Sequence, residues 1–226
     1  MIPKRIVLIG GPATGKTTLF NALTGLSQQV GNYPGVTVER IIGTLHLDDQ
    51  EIDLLDLPGT YSLAAHSPDQ MIAVDVLLGQ QEGIAPVDAI LAIVDASNLR
   101  RNLYLISQLL EIDIPIVIAL NMTDIAQRRG VSINVDLLSA QLGVPVVPIS
   151  ARRRVGIRTL LDTITATLSN PVQPHHNIPQ FPDLLQQHAH NLEGRNVEIS
   201  DGEVRSLSHI EAFRALVDCG GVIEQR

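Results

Sequence analysis

The chain has 226 residues, 45% hydrophobic and 18% charged, which is the composition of a folded globular chain and excludes a disordered one. Its formal charge of −8 repels phosphate backbones and anionic lipid, so DNA, RNA and membrane surfaces are poor partners. Trp is absent and aromatics reach only 3%, leaving a core of Ile, Leu, Val and Ala that suits a parallel sheet covered by helices. Cys219 is alone, so no internal disulfide forms and a reducing compartment is expected. Met1 to Arg5 leads straight into an apolar strand without a cleavage pattern, so no signal peptide is expected. No apolar run approaches the ~18 residues of a membrane span.

The first predicted strand is 6–9. Directly after it, Gly10-Gly11-Pro12-Ala13-Thr14-Gly15-Lys16-Thr17 fits G-x-x-x-x-G-K-[ST] and opens a predicted helix over 16–23. Glycines let the backbone wrap phosphates, successive N–H groups point inward, and the helix presents its positive end. Lys16 is expected to bridge the β- and γ-phosphates and Thr17 to give a hydroxyl to Mg²⁺, with Thr18 next in the same contact set. This loop alone does not separate an ATPase from a GTPase or a small-molecule kinase.

Gly31-Asn32-Tyr33-Pro34-Gly35-Val36-Thr37-Val38-Glu39 follows, and its glycines and proline predict a mobile loop. Thr37, flanked by Gly35 and Val36, is the natural second hydroxyl for Mg²⁺, and a loop ordered by a γ-phosphate and its metal is a switch. Strands are predicted at 41–47 and 52–57, parted by the turn Asp48-Asp49-Gln50. The second ends in Asp56-Leu57-Pro58-Gly59. There Asp56 can hold Mg²⁺ through water and the Gly59 N–H can bond the γ-phosphate.

A helix over 69–78, a strand over 89–94, a helix over 99–110 and a strand over 114–120 come next. That strand closes in Asn121-Met122-Thr123-Asp124. The Asp124 carboxylate can accept from the N1–H and the 2-amino group of guanine, and Asn121 can bond the other edge of the base and tie this loop to the phosphate loop. Adenine lacks both donors, so ATP would leave a buried carboxylate unpaired; sites of this kind discriminate by ~10⁴ or more. A helix over 135–142 and a strand over 144–149 lead to Ser150-Ala151-Arg152, where a backbone N–H can meet guanine O6. Arg152, Arg153 and Arg154 otherwise read as a solvated basic run. A last helix spans 157–168.

Alternating strands and helices predict an α/β fold with a six-stranded, mostly parallel sheet, one antiparallel edge strand and helices on both faces. Gly-rich loop, mobile Thr, D-x-x-G, N-x-x-D and Ser-Ala occur in order, each at the C-terminal end of a strand, where open α/β sheets bind ligands. Their order makes the guanine-nucleotide reading. Residues 1–169 are expected to form the G domain, and 170–226 a linker with a short helical segment, for Pro171, Pro174, Pro179 and Pro182 cluster before weak helical stretches at 182–192 and 206–217. His175, His176, His188 and His190 match no metal-site spacing and read as solvated.

Three stretches carry a more specific resemblance: Val30 to Glu39; Asp56-Leu57-Pro58-Gly59-Thr60-Tyr61-Ser62-Leu63 with Ser67-Pro68-Asp69; and Val94-Asp95-Ala96-Ser97-Asn98-Leu99 with Arg101-Asn102-Leu103-Tyr104-Leu105. Over about residues 4–168 the chain resembles the cytoplasmic N-terminal G domain of the bacterial ferrous iron transport protein B family. The resemblance implies a Ras-like P-loop GTPase fold, Mg²⁺ as cofactor, GTP and GDP as substrate and product, and a place at the cytoplasmic face of the inner membrane. It also implies a membrane-embedded transporter domain for Fe²⁺ as partner, in the same longer chain or separate. No nucleic acid is expected, and a homo-oligomer is left open. Many members of the family have Asn where this chain has Ala13, and that Asn helps bind K⁺; K⁺ activation is therefore not expected here. Met122 stands where many GTPases have Lys over the base.

Lys16, Thr37 and Gly59 are the catalytic candidates. Thr60 replaces the Gln that Ras-type switches use to position water, so slow turnover is expected, with the backbone of Gly35 to Thr37 holding the water and no general base. Two other readings stay open: a nucleotide sensor with negligible hydrolysis, and a GTPase of ribosome or tRNA maturation, which the acidic charge disfavours.

Overall fold

Seven strands make the central sheet of the computed structural model, which describes residues 3–25, 27–47, 50–64, 67–171, 187, 190–192, 194–198 and 204–206. The chain order is β1 (Lys4–Gly10), α1 (Lys16–Thr24), β2 (Gln28–Asn32), β3 (Glu39–Leu47), β4 (Gln50–Asp56), α2 (Pro68–Leu77), β5 (Ala89–Asp95), α3 (Leu99–Leu109), β6 (Ile116–Asn121), α4 (Thr123–Arg128), α5 (Val135–Leu142), β7 (Val146–Pro148) and α6 (Ile157–Ser169). Across the sheet the strands run β2-β3-β4-β1-β5-β6-β7. β4, β1, β5, β6 and β7 pair in parallel, while β3 is antiparallel to both β4 and β2.

The expected α/β architecture stands, with one strand more than the six read from the sequence. The extra strand is β2, whose side chains are almost all exposed. A strand that buries nothing has no apolar periodicity to announce it. It forms because β3 offers an open edge, pairing Val30 with Ile41 and Asn32 with Glu39. α4 also escaped the sequence reading, being a six-residue turn of helix that buries Ala126.

The buried strands divide their side chains between two cores, as the period of two requires. Val7 and Ile9 face one cluster with Leu55, Ile90 and Ile118, covered by α2, α3 and α5. Ile6 and Leu8 face the other with Leu54, Leu91 and Val117, covered by α1 and α6. Ser67 caps α2 ahead of Pro68, and Asn134 caps α5 through the Leu137 N–H. Chain connections run away from β1 in both directions along the sheet, so the C-terminal end of β1 is the topological switch point.

In the tail, a two-stranded antiparallel hairpin pairs β8 (Asn196–Glu198) with β9 (Val204–Ser206). Residues 187 and 190–192 are helical, within the stretch expected at 182–192. Most of that stretch, the rest of the one at 206–217, Cys219, His175, His176 and His188 lie outside the described residues. Among the described residues no group of His, Cys, Asp and Glu is arranged to hold a metal, and no helix is long and apolar enough to cross a membrane.

Candidate nucleotide site

The phosphate loop joins β1 to α1 at the switch point. Gly15 (φ 89°) and Ala13 (φ 63°) both take the left-handed conformation, bending the backbone round a concave turn. Thr14 is buried and donates its hydroxyl to the Gly11 carbonyl at 2.8 Å. No side chain caps the N-terminus of α1, so its first N–H groups stay open to an anion. A Cβ on Gly15 would fall 2.5 Å from Asn121 Nδ2, so the neighbouring loop itself demands glycine there.

Lys16 Nζ donates to the Asp56 carboxylate, joining the start of α1 to the end of β4. Burial pushes the Asp56 carboxyl above its usual range, while the charge and hydrogen bond of Lys16 pull it down. A carboxylate held in such a place needs a cation beside it. With the exposed Thr17 hydroxyl it offers the hard oxygen donors that suit Mg²⁺, so these residues fit that ion.

Thr37 lies in the exposed connection between β2 and β3. Tyr33-Pro34-Gly35-Val36 makes a turn closed by the Val36 N–H on the Tyr33 carbonyl at 3.3 Å, with Pro34 second and Gly35 (φ 76°) third. A bond from the Tyr33 N–H to the Val38 carbonyl at 3.0 Å extends the β2–β3 hairpin over this segment. The expected loop is thus the connection of a β2–β3 hairpin, with Gly31, Asn32 and Glu39 paired as strand and 33–38 forming the turn between them. Gly35, Val36 and Thr37 are exposed, and among the described residues the Thr37 hydroxyl bonds to none of Lys16, Thr17 or Asp56.

Tyr33 itself is 1% exposed, packed in the core beneath this turn, and its hydroxyl has no hydrogen-bond partner among the described residues. Burial, then the Asp56 charge, push its phenol well above the ordinary value.

Gly59 lies against the phosphate loop: a Cβ there would stand 3.6 Å from the Gly10 carbonyl oxygen. The Thr60 N–H donates to that same carbonyl at 3.1 Å, and the Thr60 hydroxyl donates to the Ser62 carbonyl. Tyr61 then folds over the loop. Its hydroxyl donates to the Pro12 carbonyl at 2.6 Å, and its ring leaves room at Gly11 for hydrogen alone.

The base-reading loops are welded together. Asn121 Nδ2 donates to the Thr14 carbonyl at 2.9 Å, and Asn121 Oδ1 accepts from the Ala151 N–H at 2.9 Å. Met122 takes the left-handed conformation (φ 61°) and starts α4, bringing Asp124 onto its first turn. Asp124 Oδ1 accepts from the Ser150 hydroxyl at 3.1 Å; Oδ2 meets Arg128 at 3.0 Å and Arg153 at 3.3 Å. Desolvation raises the Asp124 carboxyl, but Ser150, Arg153 and Arg128 together outweigh it and hold the group below the usual carboxylate range. Ala151 is buried, while Arg152 sits exposed in the 3₁₀ turn Ala151–Arg153.

The structure therefore gathers Gly10 through Thr17, Asp56, Gly59, Asn121, Asp124, Ser150 and Ala151 at one sheet edge. Sequence reasoning missed Tyr61, Arg128 and Arg153 as parts of this edge. Arg128 had a legible signal, four residues beyond Asp124 on one helix face. Arg153 and Tyr61 had none, since each meets its partner only through the fold.

Comparison with known proteins bears on the same residues. The family model described as ferrous iron transport protein B matches residues 4–164. The Fe(2+) transporter FeoB of Escherichia coli K12 is 50% identical over 159 residues, 69% of this chain and 20% of the relative. That of Salmonella typhimurium LT2 is 52% identical over the same shares. This chain thus spans about a fifth of the length of these relatives. The cytosolic domain of L. pneumophila FeoB superposes with a TM-score of 0.78 at 40% identity, covering 92% of this chain and 79% of that one. A mutant S. thermophilus NFeoB bound to GDP gives 0.78 at 39% identity, covering 98% and 82%.

Proposed function

From a chain that belongs to the ferrous iron transport protein B family, as its N-terminal G domain, we propose a GTP-binding and GTP-hydrolysing switch that regulates ferrous iron passage through a membrane-embedded domain. The observation that carries this reading is the pair of hydrogen bonds joining Asn121 to Thr14 and Ala151, which ties the loop leading to Asp124 to the phosphate loop. Guanine offers that carboxylate two donors where adenine offers none. The GDP bound to the S. thermophilus relative supports the same assignment.

In this reading the backbone N–H groups of residues 13–18 and the Lys16 ammonium hold the phosphates, so Lys16 exchanges Asp56 for the β- and γ-oxygens. Asp56, Thr17 and, once the hairpin turn releases it, Thr37 hold Mg²⁺, which when bound neutralises charge on those phosphates. Gly59 N–H meets the γ-phosphate, and Met122, Ser150, Ala151 and Arg152 frame the base. Residues 1–169 form the G domain and 170–226 a linker and appendage toward the membrane partner, at the cytoplasmic face. Turnover is slow, for the Thr60 hydroxyl is already spent on Ser62.

A second reading, a nucleotide sensor whose hydrolysis is negligible, draws support from the exposed place of Thr37. Calorimetry on the magnesium-supplied protein tests the first claim: heat with GTP and GDP, none with ATP, and none with any nucleotide for Lys16→Ala. Asp124→Asn should turn preference from GTP toward XTP. Silence with both guanine nucleotides would overturn the proposal. Single-turnover GTP hydrolysis divides the enzyme from the sensor.

A further inference from the structure

Guanine would present Asp124 with its N1–H and its 2-amino group, the donors of a guanidine-like edge. A carboxylate offers about four acceptor directions. In the free chain most of these are taken. The Ser150 hydroxyl donates to Oδ1 at 3.1 Å. Arg128 Nη2 donates to Oδ2 at 3.0 Å, and Arg153 Nε stands 3.3 Å from the same oxygen. Oδ1 thus keeps room for a further donor, while Oδ2 faces two guanidinium groups. A base that needs both oxygens at once finds one of them occupied.

The two arginines are not held alike. Arg128 lies four residues beyond Asp124 on α4, and its Nε also donates to the Asp124 carbonyl at 3.0 Å. That contact is local to one turn of helix. Arg153 comes from the separate 3₁₀ turn Ala151–Arg153, has the longer approach and is exposed. It is the looser partner, and its guanidinium has the same donor chemistry as the guanine edge.

We propose that Arg153 sets the guanine-nucleotide affinity of this chain by occupying Asp124 in the free protein, and that the N1–H and 2-amino edge of the base displaces it. The inference rests on the reading above, in which Asp124 receives guanine. An ion pair made only in the free state lowers the apparent affinity for whatever replaces it. Removing Arg153 therefore strengthens guanine binding. Loss of a cation beside a nucleotide ordinarily weakens phosphate binding, so the opposite sign at Arg153 is diagnostic.

The test is calorimetric binding of GDP and inosine diphosphate to the full chain with Mg²⁺. Hypoxanthine keeps N1–H but lacks the 2-amino group, so it asks for one acceptor and leaves Arg153 in place. Arg153 is exposed, so Arg153→Gln should fold. That variant is expected to bind GDP about threefold to fivefold more tightly, the scale of an exposed ion pair, and inosine diphosphate unchanged within about 1.5-fold. Arg154→Gln, at the exposed end of the same turn, measures the plain loss of a charge and should bind GDP no more tightly than wild type. In the unaltered protein the Arg153 Nε–H resonance should move on adding GDP and less on adding inosine diphosphate. An unchanged or weaker GDP affinity in Arg153→Gln would overturn the inference. So would equal gains for the two nucleotides, a gain of the same size in Arg154→Gln, or equal movement of the resonance with both ligands. Wild-type protein that binds GDP no better than ADP would instead overturn the guanine reading beneath it.

Discussion

The side-chain amide of Asn121 donates to the main-chain carbonyl of Thr14 across 107 residues of sequence, at 2.9 Å. Through its other end it accepts from Ala151, so one buried residue makes the phosphate loop, the N-x-x-D loop and the Ser-Ala loop a single hydrogen-bonded body.

Removing that residue should be felt without any nucleotide. Asn121→Ala leaves a buried carbonyl and a buried N–H unpaired, at about 1–3 kcal/mol for each. Chemical denaturation should show a loss of about 2–4 kcal/mol. A loss under about 0.5 kcal/mol would mean that water or a shifted loop takes over both bonds.

The carboxyl of Asp124 should titrate below its ordinary value of 3.8. A carboxyl lowered in the folded state contributes stability above the unfolded value, and loses it as pH falls through the folded value. The contribution of Asp124 is thus complete at neutral and mildly acidic pH and fades only in strong acid. Carbon-13 NMR of the side-chain carboxyl checks this, and Arg153→Ala should move the inflection upward. An inflection above 3.8 in the wild-type protein would refute the ion-pair account.

Tyr33 carries a buried hydroxyl with no partner among the described residues. Tyr33→Phe removes that group and keeps the ring in the core. Stability should rise by about 1 kcal/mol, since an unmade hydrogen bond in the interior is a cost. A drop of that size on thermal unfolding would show that the hydroxyl is satisfied after all.

Ala13 bears on both stability and ion dependence. Its left-handed backbone costs an alanine about 1–2 kcal/mol, which Ala13→Gly relieves, less a part lost to the greater freedom of glycine in the unfolded chain. The net gain should be about 0.5–1 kcal/mol. A methyl group offers K⁺ no oxygen, so GTP hydrolysis should run equally in KCl and NaCl. A several-fold acceleration in KCl would sink that expectation.

The legible part of the site consists of residues whose chemistry is local. Gly15 and Lys16 act through the turn and helix they begin, Asp56 and Asn121 are announced by the strands they terminate, and Asp124 follows three residues after Asn121 on the first turn of α4. The helices over α5 and α6 were visible because apolar residues recur at helical spacing. β2 was invisible because its side chains bury nothing. The turn at Tyr33 to Val36 was hidden for a related reason: glycine and proline read as a mobile loop, but Pro34 and Gly35 equally suit a tight turn, and the pairing of β2 with β3 chooses between them.

By itself the sequence determined the alternation of elements, the order of five candidate nucleotide-contact segments and the chemistry each can perform, since these follow from side-chain type and spacing along the chain. Only the tertiary structure decided that Lys16 holds Asp56, that Arg153 meets Asp124, and that Tyr61 reaches both the Pro12 carbonyl and the Arg101 guanidinium. Such pairs join residues tens of positions apart, and their meeting depends on how strands and helices stack around a common core. Periodicity fixes which face of an element is buried, but not which side chain from another element will stand opposite it.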